Sequence, residues 1–233
     1  MTEDAEAGGK PKPQRIRDAA TLILYRRRAG RLEVLMGERH GASAFMPNRF
    51  VFPGGRLDPA DYRIQAAAPL NPVSTARLTR CPRTGPRKAL GLALAAIRET
   101  FEETGLRLAV PKPVAAAPSS SWAAFCAKGH APDPAPLLYI CRAITPPGRP
   151  RRFDARFFAA PAEAALGELR PSQELDKLNW LTPEDTKDLL LPNITQYVLA
   201  HLEGWLRPEA AEDPNQPTPF HYMRRGERQL EWV

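Results

Sequence analysis

Glu99, Glu102 and Glu103 stand at positions i, i+3 and i+4. On a helix that spacing brings three carboxylates to one face. Leu90, Leu94, Ile97 and Phe101 recur at helical spacing as well, which predicts a helix over 90–104 with the acids roughly opposite its apolar stripe. Gly105 then supplies the residue that ends such a helix. The arrangement works against itself. Like charges three and four apart repel, and acids in the last turns face the negative end of the helix dipole, each at a cost of a fraction of a kcal/mol. Arg98 precedes Glu102 by four, the weaker orientation for a helical ion pair. A hard divalent cation would reverse the sign of this crowding, because Mg²⁺ takes carboxylate oxygens and commonly bridges them to substrate phosphates. There it polarises a phosphoryl oxygen or activates a water. The competing reading is a plain acidic helix end in solvent, which these residues alone leave open.

The elements around this helix are read from pattern. Ala19–Arg26 and Leu32–Glu38 are predicted strands joined by a turn at Ala29-Gly30. Phe50-Val51-Phe52 is a short strand stopped by Pro53-Gly54-Gly55. Residues 57–89 carry five prolines and read as a long irregular insertion. Arg63, Arg77, Arg80, Arg83, Arg87 and Lys88 against Asp58 and Asp61 leave it at +4. Further strands are predicted at 106–110, 137–144 and 151–160, with a short helix at 121–128. Asn179-Trp180-Leu181 begins a last strand or turn. Thr182-Pro183-Glu184-Asp185 is an N-cap pattern leading into a helix, and 193–206 is an amphipathic helix. Residues 1–17 read as a disordered leader and 207–233 as an extended, proline-bearing tail, whose stretch 220–233 is a candidate dimer contact. Mixed strands and helices make the class α/β or α+β.

Arg98-Glu99-x-x-Glu102-Glu103-x-Gly105-Leu106 resembles the second half of the Nudix box, REUxEExGU, and Phe52-Pro53-Gly54-Gly55 resembles the glycine turn that opens it. Both halves in order make the signal specific. In the family pattern a Glu follows the glycine after five residues, and an Arg follows that Glu after seven more. Here the position counted from Gly55 is Asp61 and the position counted back from Arg98 is Leu90, so the box is split by about 29 residues. Thr100 replaces the usual apolar residue. An interrupted box is similar to that of the peroxisomal coenzyme A diphosphatase/RP2 group, as are Ile144-Thr145-Pro146, the run from Arg152 to Phe158, and Trp180 to Glu184. The resemblance covers most of residues 18–206.

The resemblance implies an α/β/α sandwich around a mixed sheet. It implies Mg²⁺, or Mn²⁺ in vitro, on Glu99, Glu102 and Glu103, with Arg98 orienting the carboxylates. It also implies hydrolysis of a diphosphate linkage in a small nucleotide, coenzyme A or an acyl-coenzyme A first. ADP-ribose or dinucleotide hydrolysis and a silent nucleotide-binding sensor are the rivals. Glu174 and Asp176 are candidates for a distal carboxylate. Arg39 and the Gly54-Gly55 turn are candidate substrate contacts, and Arg77, Arg80 or Arg83 a cradle for an extra phosphate, for which a guanidinium fork is suited.

Composition bounds the rest. The chain has 233 residues, 43% hydrophobic and 25% charged, ordinary for a water-soluble globular protein, and its length fits one large domain or two small ones. No apolar run is long enough to span a bilayer, and no secretory signal pattern stands at the start. Cys81, Cys126 and Cys141 form no CxxC pair and read as reduced thiols of a cytoplasmic protein. The net charge of +7 favours an anionic partner, yet no aromatic-basic nucleic-acid motif accompanies it.

Overall fold

The computed structural model describes residues 15–41 and 47–233. Most of the expected leader therefore lies outside the described residues; its last residue, Arg17, already opens a strand. β1 (Arg17–Arg28) and β2 (Arg31–Arg39) form a hairpin. Its tip, Ala29 and Gly30, has φ of 50° and 77°, the doubly positive backbone that matches the twist of a hairpin. β3 (Phe50–Val51) pairs with β2, and β4 (Gly54–Arg56) pairs with β1.

The insertion departs from the expected irregular loop. Asp58 caps a single 3₁₀ turn at Pro59–Tyr62, and α1 (Pro72–Arg80) follows, with Asn71 accepting from Val73 and Ser74 N–H and proline at its first position. α2 (Pro86–Thr104) begins four residues earlier than the apolar stripe indicates, again on a first-turn proline. Gly105, at φ 78°, closes it through N–H donation to Phe101 O.

β5 (Arg107–Pro111), α3 (Ser120–Cys126), β6 (His130–Pro132), β7 (Leu138–Ile144), β8 (Phe153–Pro161), β9 (Ala165–Leu166) and β10 (Leu175–Leu181) come next. Thr182 and Asp185 do exchange the expected capping bonds, but turns rather than a helix follow them. α4 (Asn193–Trp205) and a short α5 (Pro208–Ala211) lead to β11 (Pro219–Arg224) and β12 (Glu227–Trp232). The last two correct the reading of an extended tail. β11 pairs in parallel with β7, and β12 pairs with β11, so the C-terminal residues complete the sheet.

The main sheet runs β10-β2-β1-β8-β7-β11-β12 with β3 and β4 attached. β1–β8 and β7–β11 are parallel and the other pairings antiparallel. Alternation along β1 divides the core in two. Ala20, Leu22 and Leu24 face a cluster with Leu92, Ile97 and Trp122 of α2 and α3. Ile23 faces the other side, with Val198, Leu202 and Trp205 of α4. The result is the expected α/β/α sandwich. No helix among the described residues is long and apolar enough to cross a membrane.

Candidate functional site

α2 lies with its C-terminal turns against the Pro53-Gly54-Gly55 turn. Most of its residues from 89 to 98 are buried, as are Thr100, Glu103 and Thr104, so the narrow apolar stripe understates how deeply the helix is enclosed. Thr100, in place of an apolar residue, satisfies its hydroxyl by donating to Ala96 O at 2.8 Å.

The three glutamates are not equivalent. Glu102 is partly exposed, with its side chain at 33%. Glu103 was expected opposite the buried face but is itself buried, accepting from Gly54 N–H at 2.7 Å through Oε2. Its other oxygen, Oε1, has no hydrogen-bond partner. Burial pushes the Glu103 carboxyl up to about 8, opposed by Arg39 and the Gly54 N–H. Glu99 lies over Gly55 so closely that a Cβ there would meet its carboxylate at 2.4 Å. Burial pushes Glu99 up to about 7, opposed chiefly by Arg98.

Arg98 organises this cluster. It donates from Nε to Asp61 Oδ1 at 2.8 Å and from Nη2 to Asp61 Oδ2 at 3.0 Å. It donates from Nη1 to Glu99 at 2.8 Å and Glu102 at 3.0 Å, and again from Nη2 to Arg56 O at 3.0 Å. All five N–H donors of the guanidinium are thus used. Burial works against its charge, but the bonds to Asp61 and Glu99 outweigh this and hold it protonated.

Asp61, which departs from the Glu of the family pattern, is fully buried. It accepts from Arg98 twice, from Trp122 Nε1 at 3.0 Å and from Asp58 N–H at 2.8 Å. It therefore stands where the box has its early Glu, and the insertion follows it in the chain. The Asp58-Pro-Ala-Asp61 capping box was the signal in the sequence that could have revealed it.

Other candidates separate cleanly. Arg39, near the end of β2, is the charge that most opposes the effect of burial on Glu103. Glu174, exposed beside β10, acts on both Glu99 and Glu103. His40 N–H donates to the Glu174 carbonyl at 3.3 Å, which ties that loop to the end of β2. Asp176 does not join them; its carboxylate accepts from Lys177 N–H instead.

Arg77 and Arg80 are corrections. Arg77 is buried, and its guanidinium donates to the carbonyls of Tyr139, Ala210 and Asp213. Arg80 donates to Pro214, Gln216 and Val233 carbonyls. Both forks clamp the C-terminal segment rather than offering their donors to a phosphate. Arg83, at φ 63°, precedes α2 and lies at its far end from the glutamates.

The donor set fits a hard divalent cation. Three carboxylates gather at one helix end, one buried oxygen lacks a partner, and the glycine cradle keeps Glu99 against the backbone. As they stand, no three acids among the described residues converge into a ready coordination shell. The reason is visible in the bonds: Arg98 Nη1 spans Glu99 and Glu102, and Glu103 turns to Gly54.

No family model matches the chain. Among solved structures it is similar to a NUDIX hydrolase from Alicyclobacillus acidocaldarius, at 30% identity and a TM-score of 0.59, over 87% of this chain and 94% of that one. Among curated proteins it is similar to the acyl-coenzyme A diphosphatase NUDT19 of Gallus gallus, 27% identical over 75% of this chain and 63% of that protein. It is also similar to NUDT19 of Xenopus laevis, 32% identical over 34% of this chain and 26% of that protein. The chain thus spans less than two thirds of the length of these curated relatives.

Proposed function

Because this chain belongs to the Nudix hydrolase family, we propose that it hydrolyses the diphosphate bridge of a nucleoside diphosphate derivative, coenzyme A or an acyl-coenzyme A first among them. The observation that carries the reading is the carboxylate cluster on one helix end, held by Arg98 and Asp61 against the Gly54-Gly55 turn, with one buried glutamate oxygen unpartnered. The NUDT19 relatives, named as acyl-coenzyme A diphosphatases, support the substrate class.

In this reading Glu99, Glu102 and Glu103 hold the divalent cation, Mg²⁺ with Mn²⁺ as its substitute. Bound there, the cation supplies charge neutralisation at the phosphates and a water of lowered pKa. The residues of the chain do the positioning. Arg98 fixes the orientation of Glu99 and Glu102, and Asp61 fixes Arg98, as outer partners do around catalytic carboxylates. The Gly54-Gly55 backbone leaves room for Glu99 and donates an N–H to Glu103. Arg39 faces the charge of the diphosphate. Glu174, exposed at the rim, takes the proton released as water oxygen bonds to phosphorus and the bridging P–O bond breaks.

The test is Mg²⁺-dependent turnover of a panel of coenzyme A esters, ADP-ribose and dinucleotides, with Glu102→Gln as control. A phosphopantetheine product that carries the thiol, lost in the variant, is the expected result. Turnover of ADP-ribose or dinucleotides alone would replace the substrate class, and no turnover of any member with metal bound would overturn the hydrolase reading.

A further inference from the structure

The N-terminal end of α2 is a second polar centre. Gly85, its N-cap, has no side chain to cap the helix, and Pro86 has no N–H. The N–H groups of Arg87 and Lys88 precede the first internal bond, from Ala89 to Gly85 O. Unpaired N–H groups and the positive end of the dipole favour an anion there. The first turn instead carries two cations, Arg87 and Lys88, and no acid.

A cleft of about 390 Å³ opens beside this end, lined by Arg83, Lys88, Arg142 and Arg156 against Asp18 and Asp154. Four cations against two carboxylates leave a surplus of two. Lys88 and Arg156 share Asp18, and Arg142 and Arg156 share Asp154. Arg83 makes no ion pair or hydrogen bond among the described residues. Arg156, 1% exposed, is among the residues that line the cleft, and its Nε–H is buried without an acceptor. A neighbouring cleft of about 410 Å³, lined by Tyr62, Gly85 and Arg87, shares Lys88 with it. The Arg87 guanidinium lies 5.4 Å from the centre of the Tyr62 ring.

We propose that this helix end is a phosphate-binding site separate from the glutamates, with Lys88, Arg83 and the first-turn N–H groups of α2 as its donors. From residue 88 to residue 102 the helix rises about 21 Å at 1.5 Å per residue. One phosphate group therefore cannot touch both ends. The ligand is a phosphate dianion, either free or as the phosphate of a nucleotide whose base would stack on Tyr62.

The test is calorimetric titration of the whole chain with inorganic phosphate, at low salt and in EDTA, so that no metal recruits phosphate to the glutamates. The double variant Lys88→Gln/Arg83→Asn removes two cations; asparagine tolerates the positive φ at position 83. One binding site in the parent chain and at least tenfold weaker binding in the double variant are expected. No binding in the parent chain, or equal affinity in the variant, overturns the proposal. Amide spectra of the parent chain give a reading that needs no variant. The Arg87 and Lys88 N–H signals should move on adding phosphate, and movement confined to residues 98–103 would overturn the site. Tighter binding of AMP than of phosphate, lost in Tyr62→Leu, assigns a nucleotide; equal affinities assign free phosphate.

Discussion

The two ends of α2 carry opposite charge, and each carries the sign that its backbone disfavours. Arg87 and Lys88 stand at the positive end of the dipole; Glu99, Glu102 and Glu103 stand near the negative end. The ends differ in how that tension is relieved. At the C-terminal end one guanidinium, Arg98, is buried among the acids and uses every donor. At the N-terminal end Asp18 and Asp154 tie up Lys88, Arg142 and Arg156 from outside the helix, and a surplus of cations remains. A helix selected for stability alone would exchange these charges. Keeping both against the dipole is what the proposed cation site at one end and the proposed phosphate site at the other would require.

The largest effect is expected at the acidic end. Glu102→Gln keeps a hydrogen-bond acceptor for Arg98 but removes a charge, and kcat should fall about 10³-fold, the scale of losing one preorganised electrostatic group. The melting temperature should stay level or rise slightly, because the lost charge opposed the dipole. Falling activity together with a collapsed melting curve would show that Glu102 is structural, and the contrast between the ends would fail.

Asp61→Ala tests the support rather than the ligands. It leaves the Arg98 charge buried without its main partner, at about 3–5 kcal/mol, which is about 6–20 °C in a chain of this size. Thermal unfolding checks it, and a loss below 2 °C would show that Glu99 and Glu102 suffice to hold Arg98. Gly55→Ala should come next. The new Cβ would sit 2.4 Å from the Glu99 carboxylate and must displace it, costing about 10²-fold in kcat, with the metal requirement retained at higher concentration. Unchanged kinetics would mean that Glu99 swings away freely and is no ligand.

These variants also separate what the sequence could show from what it could not. The glutamate spacing, the glycine turn, the hairpin and the strands at 138–144 and 153–161 were legible because each rests on local periodicity or turn chemistry. The ranking of the three glutamates was not, since burial of Glu103 depends on a turn 49 residues away in sequence. Nor was the fate of Arg77 and Arg80. Their positions in a proline-bearing, basic stretch point to a phosphate cradle, but their partners are carbonyls distant in the chain, Tyr139 62 residues downstream and those of the C-terminal segment more than 130. The C-terminal strands were hidden for the same reason: Pro208, Pro214, Pro217 and Pro219 mark a broken segment, and only the free edge of β7 turns it into sheet.

Acidity gives a smaller test. In metal-free protein the Glu99 and Glu103 carboxyls are raised to about 7 and about 8, from 4.5. The folded chain then holds protons that the unfolded chain has released. Its stability should therefore fall as pH climbs from about 4.5 through about 8, and level off above that. Melting in EDTA at pH 6 and pH 8.5 should show this decline, and Glu103→Gln should lessen it. A melting point that rises over the same interval would mean that Glu103 is ionised in the folded chain.

The smallest effect belongs to the basic end. Arg87→Glu places an acid in the first turn of α2, where the dipole favours it by about 0.3–1 kcal/mol at low salt, or about 1–4 °C. Lost contact with the Tyr62 ring opposes this gain, but that contact is exposed and worth about 0.5 kcal/mol. The net change should be a slight rise that shrinks in high salt. The same substitution puts a carboxylate where a phosphate would sit, so phosphate affinity should drop while hydrolysis, about 22 Å along the helix at 1.5 Å per residue, is untouched. A stabler helix that binds phosphate less well would show that the N-terminal cations are held there against the fold, as the glutamates are at the other end. A less stable one would show that Arg87 serves the packing of Tyr62, and the symmetry between the two ends would be lost.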